Sequence, residues 1–511
     1  MLARAHAFTI DGLHTRHVSV EVDVRAGLPA FAIVGLADTA VREARERIHS
    51  AICNSGFEFP ARRITANLAP GDVPKEGPGL DLAMACAVLA ASEQLPREQL
   101  EGIALFGELA LDGRVRPAHG ALAVGQATQR AGLRALALAG ASAREAMLVE
   151  GLEVTIVDHL SSAVRVLGGG AGDMLPRASA SRPRGVRSAP AQGADLSDVR
   201  GQQHAVEALV IAAAGGHNCL LSGPPGTGKT MLAQRLGSIL PPLSAKEALD
   251  VTRIRSLTGA RVQRLTRSRP FRAPHHSITA AGLVGGARRG CVGEVVLAHH
   301  GVLFLDELSE FSRMTLEALR QPLEDGRVAI ARARHSAVYP ARFMLLAATN
   351  PCPCGYAGDG ERCVCSESEM ARHRRRLSGP LLDRIDLLVN LQREASGDLA
   401  GAAMATSEQA RARVLRAREI QARRMRHDGV SANAHMDVRA LAAHVVLDEK
   451  GAAMMLAARA KGLLSARGEH RVLRVARTIA DLDESKRVRP RDLGAALALR
   501  ADAGLTFNRA A

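Results

Sequence analysis

Hydrophobic and polar positions divide the chain into stretches of different texture. Over residues 1 to about 170, short apolar runs alternate with helical patterns. HVSVEVDV (17–24) is apolar at every second position, the period of a half-buried strand. TAVREARERIHSAICNSG (39–56) spaces its apolar residues as an amphipathic helix, and Gly56 stops it. AGDMLPRASASRPRGVRSAPAQGA (171–194) is rich in Ala, Ser, Pro and Arg and has no apolar period, so it reads as a linker. A compact α/β pattern fills 198–395, and beyond 405 the chain is nearly all helical, with Pro490 in the first turn of the last helix. The expectation is a multidomain α/β protein with a first α+β domain over 1–170, a linker over 171–197, an α/β domain over 198–395 and a helical region over 396–511. No short internal repeat is visible.

Length agrees with this division, since 511 residues at about 150 per domain give about three domains. The net charge of +15 favours polyanionic partners, nucleic acid first, although Ala/Arg-rich sequences can be basic through codon bias alone. Aromatic residues make up 2% and Trp is absent, so a nucleic acid would be gripped by its phosphates more than by stacked bases. Cys53, Cys86, Cys219 and Cys291 stand alone while four more crowd between 352 and 365, a usage that fits a reducing cytosol. MLARAHAFTIDGLH has no apolar signal-peptide core, and no apolar run nears the ~18 residues that span a bilayer. A cytoplasmic protein with no membrane partner is expected.

The strongest local signal is HNCLLSGPPGTGKTMLAQRLGSIL (217–240). An apolar run leads into Gly223-Pro224-Pro225-Gly226-Thr227-Gly228-Lys229-Thr230, and a helical pattern follows up to Pro241. This spacing in a strand–loop–helix context is a P-loop for ATP. Glycines let backbone N–H groups wrap phosphates, and the helix N-terminus adds positive potential. Lys229 is expected at the β and γ phosphates and Thr230 on Mg²⁺. GVLFLDEL (301–308) ends an apolar strand on Asp306, which would complete the Mg²⁺ shell, and Glu307, which would polarise the attacking water. RFMLLAATN (342–350) offers a second buried strand ending on Asn350, a polar group able to position that water. Arg384, in GPLLDRID (379–386), reads either as a surface ion pair or as an arginine finger acting on a neighbour's site.

In this order, DVRGQQHAVEAL, GPPGTGKT, VLFLDE, ATNP and LLDRID resemble an AAA+ ATPase, and SARGEHRVLRVARTIADL (465–482) resembles the helical lid of the branch containing magnesium chelatase and MCM-type helicases. The resemblance implies that Arg467 contacts the γ-phosphate, with Arg474 one helical face along as the alternative. It also implies self-association into a ring, a hexamer, because Arg384 would act in trans.

Two further stretches carry candidate chemistry. Residues 251–293 hold nine arginines and no Asp or Glu. A solvated face normally mixes signs, so the run reads as a DNA or RNA contact or as a basic surface without a partner. ARHRRRL (371–377) and Arg411 to Arg426 add charge that a solvated helix face would also explain. NPCPCGYAGDGERCVC places Cys352, Cys354, Cys363 and Cys365 as C-x-C-x8-C-x-C on a glycine-rich loop. Four thiolates so grouped could surround a structural Zn²⁺ tetrahedrally, and the alternative is a set of free or redox-active thiols. The pairs His275-His276 and His299-His300 do not chelate by themselves, because adjacent side chains point apart, and they read as loop or interface hydrogen-bonding groups.

PKEGPGLDLAMACAVLAA (74–91) followed by FGELALDGRVRPAHGAL (106–122) is similar to the proteolytic domain of Lon proteases. In that family a serine follows the Gly-Pro and a lysine follows the G-R-V-x-P motif. Here those places hold Gly79 and Val124, and Ser92 is no substitute. A Ser–Lys mechanism needs a nucleophile and a base, so the implied domain keeps the fold and lacks the peptidase dyad. Over nearly the whole chain the combination resembles the YifB/ComM family of magnesium-chelatase-like proteins. For ComM the family reading is a hexameric ATP-driven DNA helicase that promotes branch migration in natural transformation. The alternatives are a magnesium-chelatase motor that drives metal insertion into a porphyrin, an ATP-dependent protease, which Gly79 opposes, and a non-enzymatic scaffold, which Lys229, Asp306 and Glu307 oppose.

Overall fold

The structure is a computed structural model that describes residues 1–36, 39–75, 77–168, 195–260, 262–286, 292–332, 335–357, 362–377, 379–393, 405–462 and 464–501. The linker proposed over 171–194 and the first residues of the C-terminal region, 396–404, lie outside the described residues. The chain forms two compact units. One comprises Met1–Arg187 with Ala245–Thr266 and Ala329–Tyr339; the other comprises Ser188–Ser244, Arg267–Val328 and Pro340–Ala511. Two segments inside the span read as the central α/β domain therefore pack with the first unit. Ala245–Leu257 is a helix whose Ser256 hydroxyl donates to Glu145 and whose Leu257 lies against the αL residue Gly120. No described helix is long and apolar enough to cross a membrane.

The first unit is built on strands β1 (Leu2–Asp11), β2 (His14–Arg25), β3 (Ala30–Val34), β4 (Arg63–Ala69), β5 (Ile103–Phe106), β8 (Ala135–Leu138) and β9 (Glu153–Ile156), with a short hairpin of β6 (Glu108–Leu109) and β7 (Val115–Arg116) beside them. Its seven-stranded sheet runs β3-β4-β2-β1-β5-β8-β9. The β1/β2 and β2/β4 pairs are antiparallel and the remaining pairs parallel. The alternation in HVSVEVDV is that of β2, with Val18, Val20, Val22 and Val24 buried. The amphipathic helix runs Thr39–Asn54, and Gly56 follows at φ 83°. The helix Asp81–Ala91 is apolar on all sides and buried along its whole length, as such a helix must be.

The turn before that helix is tightly closed. Gly77 takes φ 80°, and a Cβ on Gly79 would sit 2.4 Å from Cε2 of Phe106. Gly107 N–H donates to the Gly79 carbonyl at 3.0 Å, and Leu82 N–H donates to the Gly107 carbonyl at 3.1 Å. Lys75 is buried with its ammonium on the Pro70 carbonyl, while Asp81 is buried against Arg47 Nε at 2.8 Å. A serine side chain does not fit at position 79 unless Phe106 moves. Val124 is fully buried, and the Ser92 hydroxyl is bonded back to Val88 and Leu89 carbonyls of its own helix.

The second unit has strands β10 (Cys219–Ser222), β11 (Phe271–Arg272), β12 (Val302–Leu305), β15 (Met344–Thr349) and β16 (Leu387–Asn390), all parallel, in the order β11-β12-β15-β10-β16. Between them in sequence, β13 (Arg327–Arg332) and β14 (His335–Pro340) pair as a two-stranded sheet. β10, β12 and β15 are buried at every position, which is why CLLS, VLFL and MLLAAT read as unbroken apolar runs rather than alternating ones. The strand order puts β12, β15 and β10 side by side, so their C-terminal ends open on one crevice. The C-terminal helices Ser407–Arg424, Ala466–Leu482 and Pro490–Ala501 bury Val414, Val472, Val475 and Leu493 in the same core as Leu221, Leu236 and Val389.

Candidate nucleotide-binding site

The loop from β10 to the helix Lys229–Ile239 is shaped by its glycines. Gly226 and Gly228 adopt φ 79° and 82°, the left-handed region that favours glycine. A Cβ on Gly226 would meet no atom within 4 Å, whereas one on Gly223 would lie 2.6 Å from the Leu391 carbonyl. The loop is thus packed on its floor and open at its crest. Thr227 closes it with a bond from its hydroxyl to the Pro224 carbonyl at 2.9 Å. The ammonium of Lys229 donates to the carbonyls of Gly223 and Pro224 at 2.7 and 2.9 Å and to Asn350 Oδ1 at 3.0 Å. These oxygens occupy donors that a phosphate would accept. Burial lowers the Lys229 pKa from its ordinary value, against the opposing pull of the Asp306 and Glu307 charges.

Thr230 Oγ1 donates to Asp306 Oδ2 at 2.7 Å, joining the two groups expected on Mg²⁺. Glu307 takes φ 51°, an unusual backbone state for a glutamate, and its N–H donates to Asp306 Oδ1 at 3.0 Å. His276 Nδ1 lies 3.5 Å from Glu307 Oε2, a neighbour that the sequence reading missed. Lys229, Thr230, Asp306 and Asn350 therefore converge at the ends of β10, β12 and β15, with Glu307 beside them. The hydroxyl–carboxylate pair and the open loop crest fit a divalent cation and a polyphosphate.

Arg384 and Arg467 form a second group. The Arg384 guanidinium, 7% exposed, donates to the Arg320 and Pro380 carbonyls at 3.1 and 2.8 Å and to Glu324 Oε2. Arg467 donates to the other oxygen, Glu324 Oε1, at 3.3 Å. Among the described residues neither arginine has a hydrogen bond or ion pair to the P-loop. Both line a cavity of about 490 Å³, with Arg471 and Arg474 on the same helix and Glu324 and Asp386 opposite. Asp386 is 4% exposed and accepts from Arg471 Nη1 at 2.6 Å and from Asn218 N–H at 2.9 Å. Burial alone would raise its pKa, but the Arg471 charge, the neighbouring His217 and the Asn218 N–H outweigh burial and hold the carboxyl well below its ordinary range. Asp386 and Arg471 lie within GPLLDRID and SARGEHRVLRVARTIADL, but neither motif singles them out, and no motif covers Glu324; their partners lie far away in the chain.

The four cysteines of the insert come together, and every Sγ lies within 4.8 Å of the others. Cys352 Sγ is 3.3 Å from Cys354 Sγ and 3.9 Å from Cys363 Sγ, and Cys354 Sγ is 3.7 Å from Cys363 Sγ. Tetrahedral zinc with Zn–S near 2.3 Å requires sulfurs about 3.8 Å apart. The donor set and its spacing fit that ion. The arginine-rich segment looks different from its sequence. Arg272 is paired with Glu294 at 2.6 Å, Arg253 with Asp250 at 3.4 Å, and Arg269 donates to the Pro241 and His300 carbonyls at 2.8 and 2.7 Å. Arg264 and Arg267 are exposed, whereas Arg261, Arg288 and Arg289 lie outside the described residues. His299 Nδ1 accepts the Arg342 N–H at 3.0 Å, a loop hydrogen bond.

Comparison with known proteins places this arrangement. The family described as "Magnesium chelatase, subunit ChlI" matches residues 195–399, "Subunit ChlI of Mg-chelatase" matches 20–141, and "Magnesium chelatase, subunit ChlI C-terminal" matches 404–500. The chain is 44% identical over 505 residues to YifB of Salmonella typhimurium, covering 98% of this chain and 97% of the relative. It is 42% identical over 495 residues to the competence protein ComM of Haemophilus influenzae, covering 96% of each. The chain belongs to the YifB/ComM family. A shorter likeness, 44% over 66 residues and 13% of this chain, connects this YifB/ComM protein to the maternal DNA replication licensing factor mcm3 of Xenopus laevis. For a YifB/ComM protein of magnesium-chelatase type, the five-stranded parallel sheet and the P-loop crevice mark an AAA+ ATPase module.

Proposed function

We propose that the protein is an ATP-driven ring motor acting on DNA, a ComM-like helicase that promotes branch migration in recombination and natural transformation. The observation that carries the ATPase reading is the convergence of Lys229, Thr230, Asp306 and Asn350 at the ends of three adjacent parallel strands. ATP with Mg²⁺, when bound, supplies the scissile phosphoanhydride and the charge neutralisation of phosphoryl transfer. Lys229 would exchange its carbonyl partners for phosphate oxygens, and Thr230 and Asp306 would hold the cation. Glu307 would take the proton of the attacking water, and Asn350 would fix that water's position. Arg384, which shares Glu324 with Arg467, would serve the site of a neighbouring copy in a hexamer, and Arg467 would contact the γ-phosphate. The relative named for competence supports DNA as the substrate. The net charge of +15 supports a phosphate grip, with exposed Arg264 and Arg267 as candidate contacts.

The four cysteines are proposed as a structural zinc site. The first unit is proposed as a Lon-like domain without the Ser–Lys dyad, with Gly79 and Val124 in the places of serine and lysine. The second reading, a magnesium-chelatase motor for metal insertion into a porphyrin, is favoured by the family matches to the ChlI subunit.

The deciding experiment measures ATP hydrolysis and strand displacement on forked and four-way DNA, with wild type beside Lys229→Ala. DNA-stimulated hydrolysis and displacement are expected for wild type, and a loss of roughly a hundredfold or more for the variant. DNA affinity should fall steeply between low and moderate salt. Absence of DNA binding, stimulation and displacement would refute the DNA motor and leave the chelatase reading.

A further inference from the structure

We propose that the cysteine knuckle is a working part of the nucleotide site: with a metal ion on its four thiolates it holds Asn350 and braces the P-loop, so that metal occupancy sets nucleotide affinity. This deepens the reading of the four cysteines as a zinc site and rests on it.

The connection is short at both ends. One residue, Pro351, separates Asn350 from Cys352, and its ring fixes φ and stiffens the link. Asn350 Oδ1 accepts the Lys229 ammonium at 3.0 Å. Within the knuckle, Gly355 turns at φ 87° and lies so close to the P-loop that a Cβ there would sit 2.7 Å from Cδ of Pro225 and 3.8 Å from Cγ of Asn350. The knuckle therefore touches the phosphate loop directly, as well as carrying the residue that bonds its lysine.

The chain leaving the knuckle returns to the same place. Cys365 is followed by Ser366, which caps the helix Glu367–Arg376 by accepting the Glu369 N–H at 3.3 Å. From that helix the buried His373 brings Nε2 to within 3.0 Å of the Asn350 carbonyl, so Nε2–H donates to it. Arg376 reaches Glu310 at 3.4 Å, just beyond Glu307. Asn350 is thus held at its carbonyl by the far arm of the knuckle and presents its side chain to Lys229. The ion on Cys352, Cys354, Cys363 and Cys365 is what ties the two arms together. Without it, Cys352 and Cys354 are no longer tied to Cys363 and Cys365, and the grip on Asn350 and Pro225 loosens. His373 acts through Asn350 and is a positioning residue.

The test uses the full chain. Zinc is counted in the purified protein, removed with a zinc-selective chelator under reducing conditions and then restored. At each stage a fluorescent non-hydrolysable ATP analogue is titrated with Mg²⁺ in excess, and far-UV circular dichroism is recorded. About one zinc per chain is expected, together with a weakening of nucleotide binding on the order of tenfold upon removal, as for the loss of one charge-assisted hydrogen bond, and recovery when zinc returns. His373→Ala should weaken nucleotide binding with zinc still bound, and His373→Gln, which keeps an N–H donor, should restore part of it. Unchanged nucleotide affinity after zinc removal would overturn the coupling and leave the zinc site standing. No zinc in the purified chain and none taken up on addition would overturn the zinc reading and this inference with it.

Discussion

Replacing Arg471 by methionine tests whether the lid is fastened to the ATPase core by a buried ion pair. Arg471 sits on the helix Ala466–Leu482, and Asp386 immediately precedes β16, the neighbour of the P-loop strand. The carboxylate is 4% exposed, and Arg471 Nη1 reaches it at 2.6 Å while also donating to the Arg384 carbonyl at 3.1 Å. Its other oxygen keeps the Asn218 N–H at 2.9 Å, and His217 Nδ1 stands 3.7 Å away. Removing the arginine takes away the largest charge that compensates this buried anion and leaves it with the Asn218 N–H, His217 and the more weakly coupled Arg474 and Arg500, a loss of about 3 kcal/mol. Removing both partners, in Arg471→Met with Asp386→Asn, leaves no charge to compensate and should recover about half of that loss or more.

Urea unfolding of the full chain measures these losses as shifts of midpoint at constant slope. The pH dependence supplies an independent sign. In the wild type the Asp386 pKa is held below 3.8, so its contribution is fully present above about pH 4 and is lost as pH falls further. In Arg471→Met the largest opposing charge is gone, so the carboxyl pKa rises from its depressed wild-type position toward the unfolded value, with His217 and the Asn218 N–H still opposing burial. The loss of stability as pH falls below about 4 is then shallower than in the wild type. A midpoint shift worth less than about 1 kcal/mol, or a pH slope equal to that of wild type, would refute the reasoning.

Two other substitutions probe the proposed nucleotide site and the turn at Gly79. Glu307→Gln keeps shape and hydrogen bonding but removes the base, so nucleotide should bind within about threefold of wild type while hydrolysis falls roughly a hundredfold or more; equal turnover would exclude Glu307 as the base. Gly79→Ser puts a Cβ 2.4 Å from the Phe106 ring, so thermal unfolding should show a loss of about 1–3 kcal/mol, and casein should remain uncleaved.

The candidate nucleotide site was legible because its residues are local in sequence. Gly223 to Thr230 are contiguous, and Asp306 and Asn350 each end an apolar run whose length and burial mark a parallel strand. Knowing that such strands lie side by side was enough to bring Lys229, Thr230, Asp306 and Asn350 together. The arginines were less legible for the opposite reason. Their density between 251 and 293 is a property of the chain, but their availability is set by partners such as Glu294 for Arg272 and the Pro241 and His300 carbonyls for Arg269. The cysteines stood between these cases, since spacing announced a cluster and only the fold placed it against Pro225 and Asn350.

By itself the sequence determined the alternating strand at 17–24, the helix at 39–56, the glycine-rich loop from Gly223 to Thr230 between a strand and a helix, the acids that follow β12 and the glycine at position 79, because each is decided by the period of burial or by contiguous residues. The tertiary structure decided the rest. It assigned 245–266 and 329–339 to the first unit, gathered Arg384 and Arg467 on Glu324, and set Arg471 on Asp386. These facts depend on contacts between residues 60 to 143 positions apart. No local pattern specifies such a pair, because each partner would read equally well as a solvated surface charge until the fold removes the water between them.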